Sequence, residues 1–219
     1  MRRRRVGILI SGRGSNMEAL IRAAKAKDYP AEVATVISNR PDAVGLKRAQ
    51  AHGIEALCID HKTCAGREAF EAKLEDQLLS RGVDLVACAG FMRIFSDAFA
   101  TRWRGRIVNI HPSLLPSYRG LDTHARALAD GVKLHGCTVH FVSGAVDAGP
   151  IIAQSALTVL PADTADTLAR RVLTLEHELY PMVLGWLAAG EVSLKDGLVA
   201  YDFAVKDQTR LLAPMRSAE

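Results

Sequence analysis

The chain has 219 residues, 49% of them hydrophobic and 24% charged, with 8 prolines and a formal net charge of +4. This composition supports a sizeable core and excludes a disordered or fibrous chain, and no apolar run approaches the roughly 18 residues needed to cross a bilayer, so neither an anchor nor a signal peptide is expected. Arg2, Arg3, Arg4 and Arg5 account for the whole positive excess, which reads as a solvated terminus and not as a nucleic-acid surface.

A compact apolar run at residues 6–10 predicts a strand, and Met17, Leu20, Ile21 and Ala24 then recur at helical spacing after a glycine-containing turn. The alternation returns with a strand at 33–37 and a helix at 42–52, a strand at 54–59 and a helix from about 66 to 80, then a strand at 83–88. Short apolar strands separated by amphipathic helices predict an α/β fold, a Rossmann-like and mostly parallel sheet with helices on both faces. The amphipathic stretch 97–103 fits either a surface helix or a contact with a second subunit. Another buried strand is expected at 107–110. Runs at 138–142 and 151–159, separated only by a short loop, predict adjacent antiparallel strands, so the C-terminal half is mixed. Leu168, Val172, Leu175 and Leu179 keep helical phase in a long helix from about Thr164 to Gly190. A small hairpin at 192–201 and a loose tail follow. No repeat or linker divides the chain, which reads as one domain over 1–219 with halves at about 1–105 and 106–205 and a tail at about 206–219. Cys58, Cys64, Cys88 and Cys137 lack any Cys-x-x-Cys spacing and read as reduced thiols of a cytoplasmic protein.

Two segments carry chemistry. Ser11-Gly12-Arg13-Gly14-Ser15-Asn16 lets the backbone turn tightly at a helix start, where N–H groups can face an anion. Met17 stands where a dinucleotide fingerprint needs a third glycine, which leaves two readings, a bare turn or a monophosphate site. The second segment is Asn109-Ile110-His111-Pro112-Ser113-Leu114-Leu115-Pro116, at the carboxyl end of a buried strand where open α/β folds bind ligands. Alternation puts Asn109 and His111 on one side and Ile110 on the other. No His, Cys and carboxylate grouping has metal spacing, His135 and His140 around Cys137 reading as packed residues.

With Tyr118-x-Gly120 and Asp147-x-Gly149-Pro150, the second segment resembles the signature of the folate-dependent formyltransferases. The likeness extends through the glycine turn, Ser38-Asn39, Ala89-Gly90-Phe91-Met92-Arg93-Ile94 and Glu176-His177-x-x-Tyr180-Pro181 to the single-domain branch that formylates a phosphoribosylated glycinamide in purine synthesis. The resemblance implies 10-formyltetrahydrofolate as co-substrate and no metal. It implies catalysis by Asn109, His111 and Asp147, with Asp147 holding His111 protonated near neutral pH. Gly14, Ser15, Asn16 and Glu176 are then expected to bind the nucleotide. Arg67, Met92, Arg93, Ile94, Phe95, Asn109, Val142, Ser143, Val146 and Asp147 are expected to line the folate cleft. The N-terminal half becomes the nucleotide-phosphate half and the C-terminal half the folate and catalytic half. Ala148, where relatives often carry glycine, and Asp122, where some carry histidine, depart from the pattern.

Small-molecule partners and a monomer or homodimer are expected, with no nucleic-acid or membrane partner. The neighbouring readings are a methionyl-tRNA formyltransferase, for which the chain lacks a C-terminal barrel domain, and a formyltetrahydrofolate hydrolase, which carries an N-terminal regulatory domain. A nucleotide or redox module built on the glycine turn is disfavoured by the missing third glycine, and a purely structural protein leaves Asn109 and His111 unexplained.

Overall fold

Short apolar runs rich in Val and Ile form a seven-stranded sheet. Strands β1 (Arg4–Ile10), β2 (Ala31–Ser38), β3 (Ala56–Cys58), β4 (Leu85–Cys88) and β5 (Ile107–His111) pair in parallel. Strands β6 (Leu134–Phe141) and β7 (Ile151–Thr158) join antiparallel, giving the order β3-β2-β1-β4-β5-β6-β7. Six helices connect or flank them: α1 (Ser15–Ala24), α2 (Val44–Ala51), α3 (Arg67–Ser80), α4 (Asp97–Arg102), α5 (Thr123–Ala129) and α6 (Ala165–Ala189). A separate hairpin joins β8 (Val192–Lys195) to β9 (Leu198–Tyr201). The computed structural model describes residues 2–206 and residue 213, so nearly all of the expected tail at about 206–219 lies outside the described residues.

Alternation along β1 divides the core in two. Val6, Ile8 and Ile10 face α1 and α6, meeting Met17, Leu20, Val172 and Val183, whereas Leu9 faces α3 and α4 with Leu74, Leu78 and Phe99. Each such fully buried side chain contributes about 1.5–3 kcal/mol of hydrophobic stabilisation. Phe70, Phe91, Phe95, Phe99 and Trp103 form a stacked row through the second core, with adjacent ring centroids 4.7 to 6.3 Å apart. Both Phe99 and Trp103 are fully buried there. The apolar face of α4 is therefore spent on the chain's own core, as the surface-helix reading of residues 97–103 expects.

Helix α6 starts with a capping box between Thr164 and Thr167 and ends at Gly190, whose φ of 81° is the left-handed conformation glycine adopts without penalty. One face carries buried Glu176 and, a turn later, buried Tyr180. The Tyr180 hydroxyl lies 3.0 Å from the Cys88 carbonyl oxygen and 3.2 Å from that of Val108, fastening the helix to β4 and β5.

Three local expectations need correction. The arginine start is solvated at Arg2 and Arg4 but is also structured: Arg4 and Arg5 belong to β1, Arg2 and Arg4 pair with Asp84, Arg5 pairs with Glu32, and Arg3 donates to the carbonyls of Ala24 and Ala31. Its partners lie on neighbouring chain segments, which a local reading of charge does not see. Strand β6 begins at Leu134, four residues before the expected start, because His135 and Gly136 are buried although neither reads as apolar. Strand β3 spans only three residues of the expected six. Among the described residues, no helix is long and apolar enough to cross a membrane.

Candidate active site

Strand β5 delivers Asn109 and His111 to one side, while Ile110 enters the first core. Opposite Asn109 in the antiparallel register stands His140 of β6. The Asn109 amide nitrogen lies 3.2 Å from His140 Nε2, and His140 Nδ1 lies 2.8 Å from the Phe141 carbonyl oxygen. A carbonyl can only accept, so Nδ1 carries the hydrogen and Nε2 accepts from Asn109. That fixes the amide's orientation and engages one of its two N–H donors.

Asp147 completes the group from the loop between β6 and β7. Its carboxylate lies 3.3 Å from His111 Nδ1 and 3.7 Å from His140 Nε2, and accepts a hydrogen bond from the Gly120 N–H at 3.0 Å. Asp147 has φ of 46°, a left-handed conformation that is strained for a residue with a side chain and that aims the carboxylate inward. Ala148 is not among the positive-φ residues, so the methyl group at this departure from the family pattern is accommodated without strain.

Burial largely decides the electrostatics. His111 is only 5% exposed, and burial pushes its ring below the ordinary histidine value, against the upward pull of the Tyr118 carbonyl, 2.9 Å from Nε2, and of Asp147. The carboxylate acts in the expected direction but does not prevail, because removing an imidazolium from water costs more than one partly solvated carboxylate returns. For Asp147 burial pulls upward, and the Gly120 N–H and His111 act against it, leaving the carboxyl below its usual range. Fully buried His135, packed against Tyr118 and against His124 of α5, is pushed down to about 4 by burial.

The second part of the site lies at the carboxyl end of β1. A cavity of about 340 Å³ is lined by residues 11–16 together with Arg40, Ala89, Gly90 and Met92. Gly14 has φ of 77° and caps α1 without any side-chain bond. A Cβ there would also come within 3.1 Å of Met17 and Gly45, adding to the preference for glycine that this φ sets. Asn16 is 8% exposed and donates from its amide to Glu176 of α6 at 2.6 Å, while its own Oδ1 has no partner among the described residues. Burial holds the Glu176 carboxyl above its ordinary range, opposed by that amide. An unpartnered buried acceptor beside a helix N-terminus marks a place for a ligand donor.

Of the residues expected at a folate cleft, Met92, Ile94 and Val146 are exposed apolar side chains on two facing segments. These segments meet where Asp97 lies against Gly144, leaving no room for a Cβ at residue 144. Arg93, Val142 and Ser143 are half-buried, Val142 packing against the second core. Phe95 turns the other way: it is 5% exposed and stacked between Phe91 and Phe99, so its ring serves the core. Arg67 is exposed at the first turn of α3, one turn before Phe70, which stacks on Phe91. His140 is the residue that sequence reasoning set aside as packing; only the strand register that puts it opposite Asn109 brings it into the site. Among the described residues no group of His, Cys, Asp and Glu is placed to hold a metal ion.

The formyl transferase family model matches residues 4–184. The chain is 42% identical over 195 residues to phosphoribosylglycinamide formyltransferase of Escherichia coli (strain K12), covering 89% of this chain and 92% of that protein. It is 50% identical over 191 residues to the trifunctional purine biosynthetic protein adenosine-3 of Drosophila melanogaster, covering 86% of this chain but only 14% of that protein's length. The crystal structure of glycinamide ribonucleotide transformylase 1 from Symbiobacterium toebii superposes with a TM-score of 0.88 at 45% identity, covering 91% of this chain and 94% of the other.

Proposed function

The chain belongs to the formyl transferase family, and on that premise we propose that it transfers the formyl group of 10-formyltetrahydrofolate to the amine of a phosphoribosylated glycinamide in purine synthesis. The observation that carries the reading is the convergence of Asn109, His111 and Asp147 beside a cavity suited to a phosphorylated substrate. Attack of an amine on a formamide carbonyl places negative charge on oxygen and positive charge on nitrogen. Asn109, oriented by His140, has a second N–H for that oxygen, a contact whose loss typically costs on the order of 3 kcal/mol. His111 stands beside the same oxygen and, in its protonated form, gives its proton to the departing folate nitrogen, with Asp147 at 3.3 Å favouring that form against burial and the proton shed by the attacking amine recharging the ring.

Gly14, Ser15 and Asn16 hold the phosphate end, and Glu176 accepts from ribose hydroxyls. Met92, Ile94 and Val146 offer apolar walls to a flat heterocycle, with the backbone around Arg93, Phe95, Val142 and Ser143 reading its polar edge and Arg67 meeting the acidic tail. That set fits a folate, whose ring system needs apolar faces and a few hydrogen-bonding groups. We read the chain as one domain whose halves exchange residues, Glu176 from the second reaching Asn16 in the first, and as a cytoplasmic protein with small-molecule partners.

Following folate release from a 10-formyl folate by absorbance, with glycinamide ribonucleotide present and then omitted, tests this. Release that requires the nucleotide is expected. Release in water alone identifies a hydrolase instead, and no release in either condition refutes the assignment.

A further inference from the structure

Residues 90–96 form a strap between β4 and α4 that leaves Met92 and Ile94 exposed and turns Phe91 and Phe95 to the core. Hydrophobic stacking alone fixes its depth but not its position along the sheet edge, since stacked rings slide at little cost. Two buried polar groups supply that restraint. At its start, the Met92 N–H donates to the Ser11 hydroxyl at 2.7 Å, and that hydroxyl donates to Asn39 Oδ1 at 2.5 Å. Ser11 and Asn39 are 5% and 2% exposed. At its end, the Ser96 N–H donates to Glu71 Oε1 at 2.6 Å and the Ser96 hydroxyl donates to Oε2, while the same hydroxyl accepts from the Phe99 N–H at 3.2 Å. Glu71 is a carboxylate on α3 only 3% exposed. Burying a carboxylate is costly unless it is fully hydrogen-bonded, and here both oxygens are committed to one residue of the strap.

We propose that Glu71 and Ser11 are positioning residues that fix the two ends of this strap, so that the folate-facing wall is set before substrate arrives. The proposal rests on the formyl-transfer reading for its ligand. The two pins differ in reach: Glu71 touches only the strap and α4, whereas Ser11 also lines the cavity assigned to the nucleotide. Loosening Glu71 therefore falls mainly on the folate side, at the far end of the strap from Gly90 and Met92, and loosening Ser11, next to them in the cavity, affects both substrates.

The test uses Glu71→Gln, which preserves volume but turns a donor toward one of two donors, and Ser96→Ala, which keeps the carboxylate should the first variant fail to fold. In substrate-free protein, amide hydrogen exchange across residues 92–96 is expected to accelerate about tenfold while β4 keeps its protection. In steady state the KM for the formyl folate rises about fivefold or more, with kcat unchanged and the nucleotide KM changed by clearly less. Ser11→Ala raises both KM values. Unchanged strap exchange in both Glu71→Gln and Ser96→Ala overturns the proposal, as does a Glu71→Gln effect that falls equally on both substrates. If the unaltered protein transfers no formyl group, the functional reading fails, and the exchange measurement still decides the pins.

Discussion

The turn after β1 and the edge of β5 both lie in the ligand-facing region of one sheet, yet they are built in opposite ways. The first is made by consecutive residues, 11–16, whose main contribution is backbone shape: a left-handed glycine, free N–H groups at a helix start and one buried amide. The second is assembled from side chains on β5, β6 and the β6–β7 loop, held by ring-to-carboxylate and amide-to-ring contacts and by a strained Asp147. A backbone site binds whatever anion fits. A convergent side-chain site does one kind of chemistry, and small losses of geometry there are felt in rate.

That contrast can be broken most directly at His111. His111→Ala is expected to lower turnover by about a hundredfold or more with little change in nucleotide affinity, measured by steady-state kinetics and direct nucleotide titration. Equal loss in both would mean that the two regions are not functionally separate. Asn16→Ala probes the other side: it removes the donor to buried Glu176, and an increase of about tenfold in nucleotide KM with kcat nearly retained is expected. A kcat effect as large as that of the His111 variant would dissolve the distinction.

The smallest effect sharpens the electrostatics within the second region. Asp147 pulls the His111 pKa up against burial, so Asp147→Asn should move it further down, leaving less imidazolium at any given pH near neutrality. Histidine ring titration by NMR reads the shift, and a midpoint that stays put or rises would show that Asp147 serves only to hold the loop.

The same contrast explains what the sequence disclosed. The alternation of apolar strands and helices was legible because each element buries its own periodic face, as in β1 and α6. The glycine turn was legible as a shape and ambiguous as a site, since Gly14 needs its conformation whether or not an anion sits there. Asn109 and His111 could be put on one side of β5 from alternation alone. Asp147 came only from the resemblance, and His140 read as packing, because their meaning arises only when antiparallel pairing sets residue 140 beside residue 109. Phe95 followed from the motif and not from its neighbours, so its stacking among core rings was not foreseen. Nor was the depression of His111, which depends on how much water the fold excludes.

The anchoring of α6 has a metric consequence. Glu176 reaches the turn after β1 through Asn16, and Tyr180, four residues on, grips the carbonyl of Val108 immediately before Asn109. One helical turn of about 5.4 Å thus acts as a ruler between the two ends of the site. Inserting a single residue between Glu176 and Tyr180 would swing one anchor by roughly 100° relative to the other, so the helix can change composition over evolution but not its count.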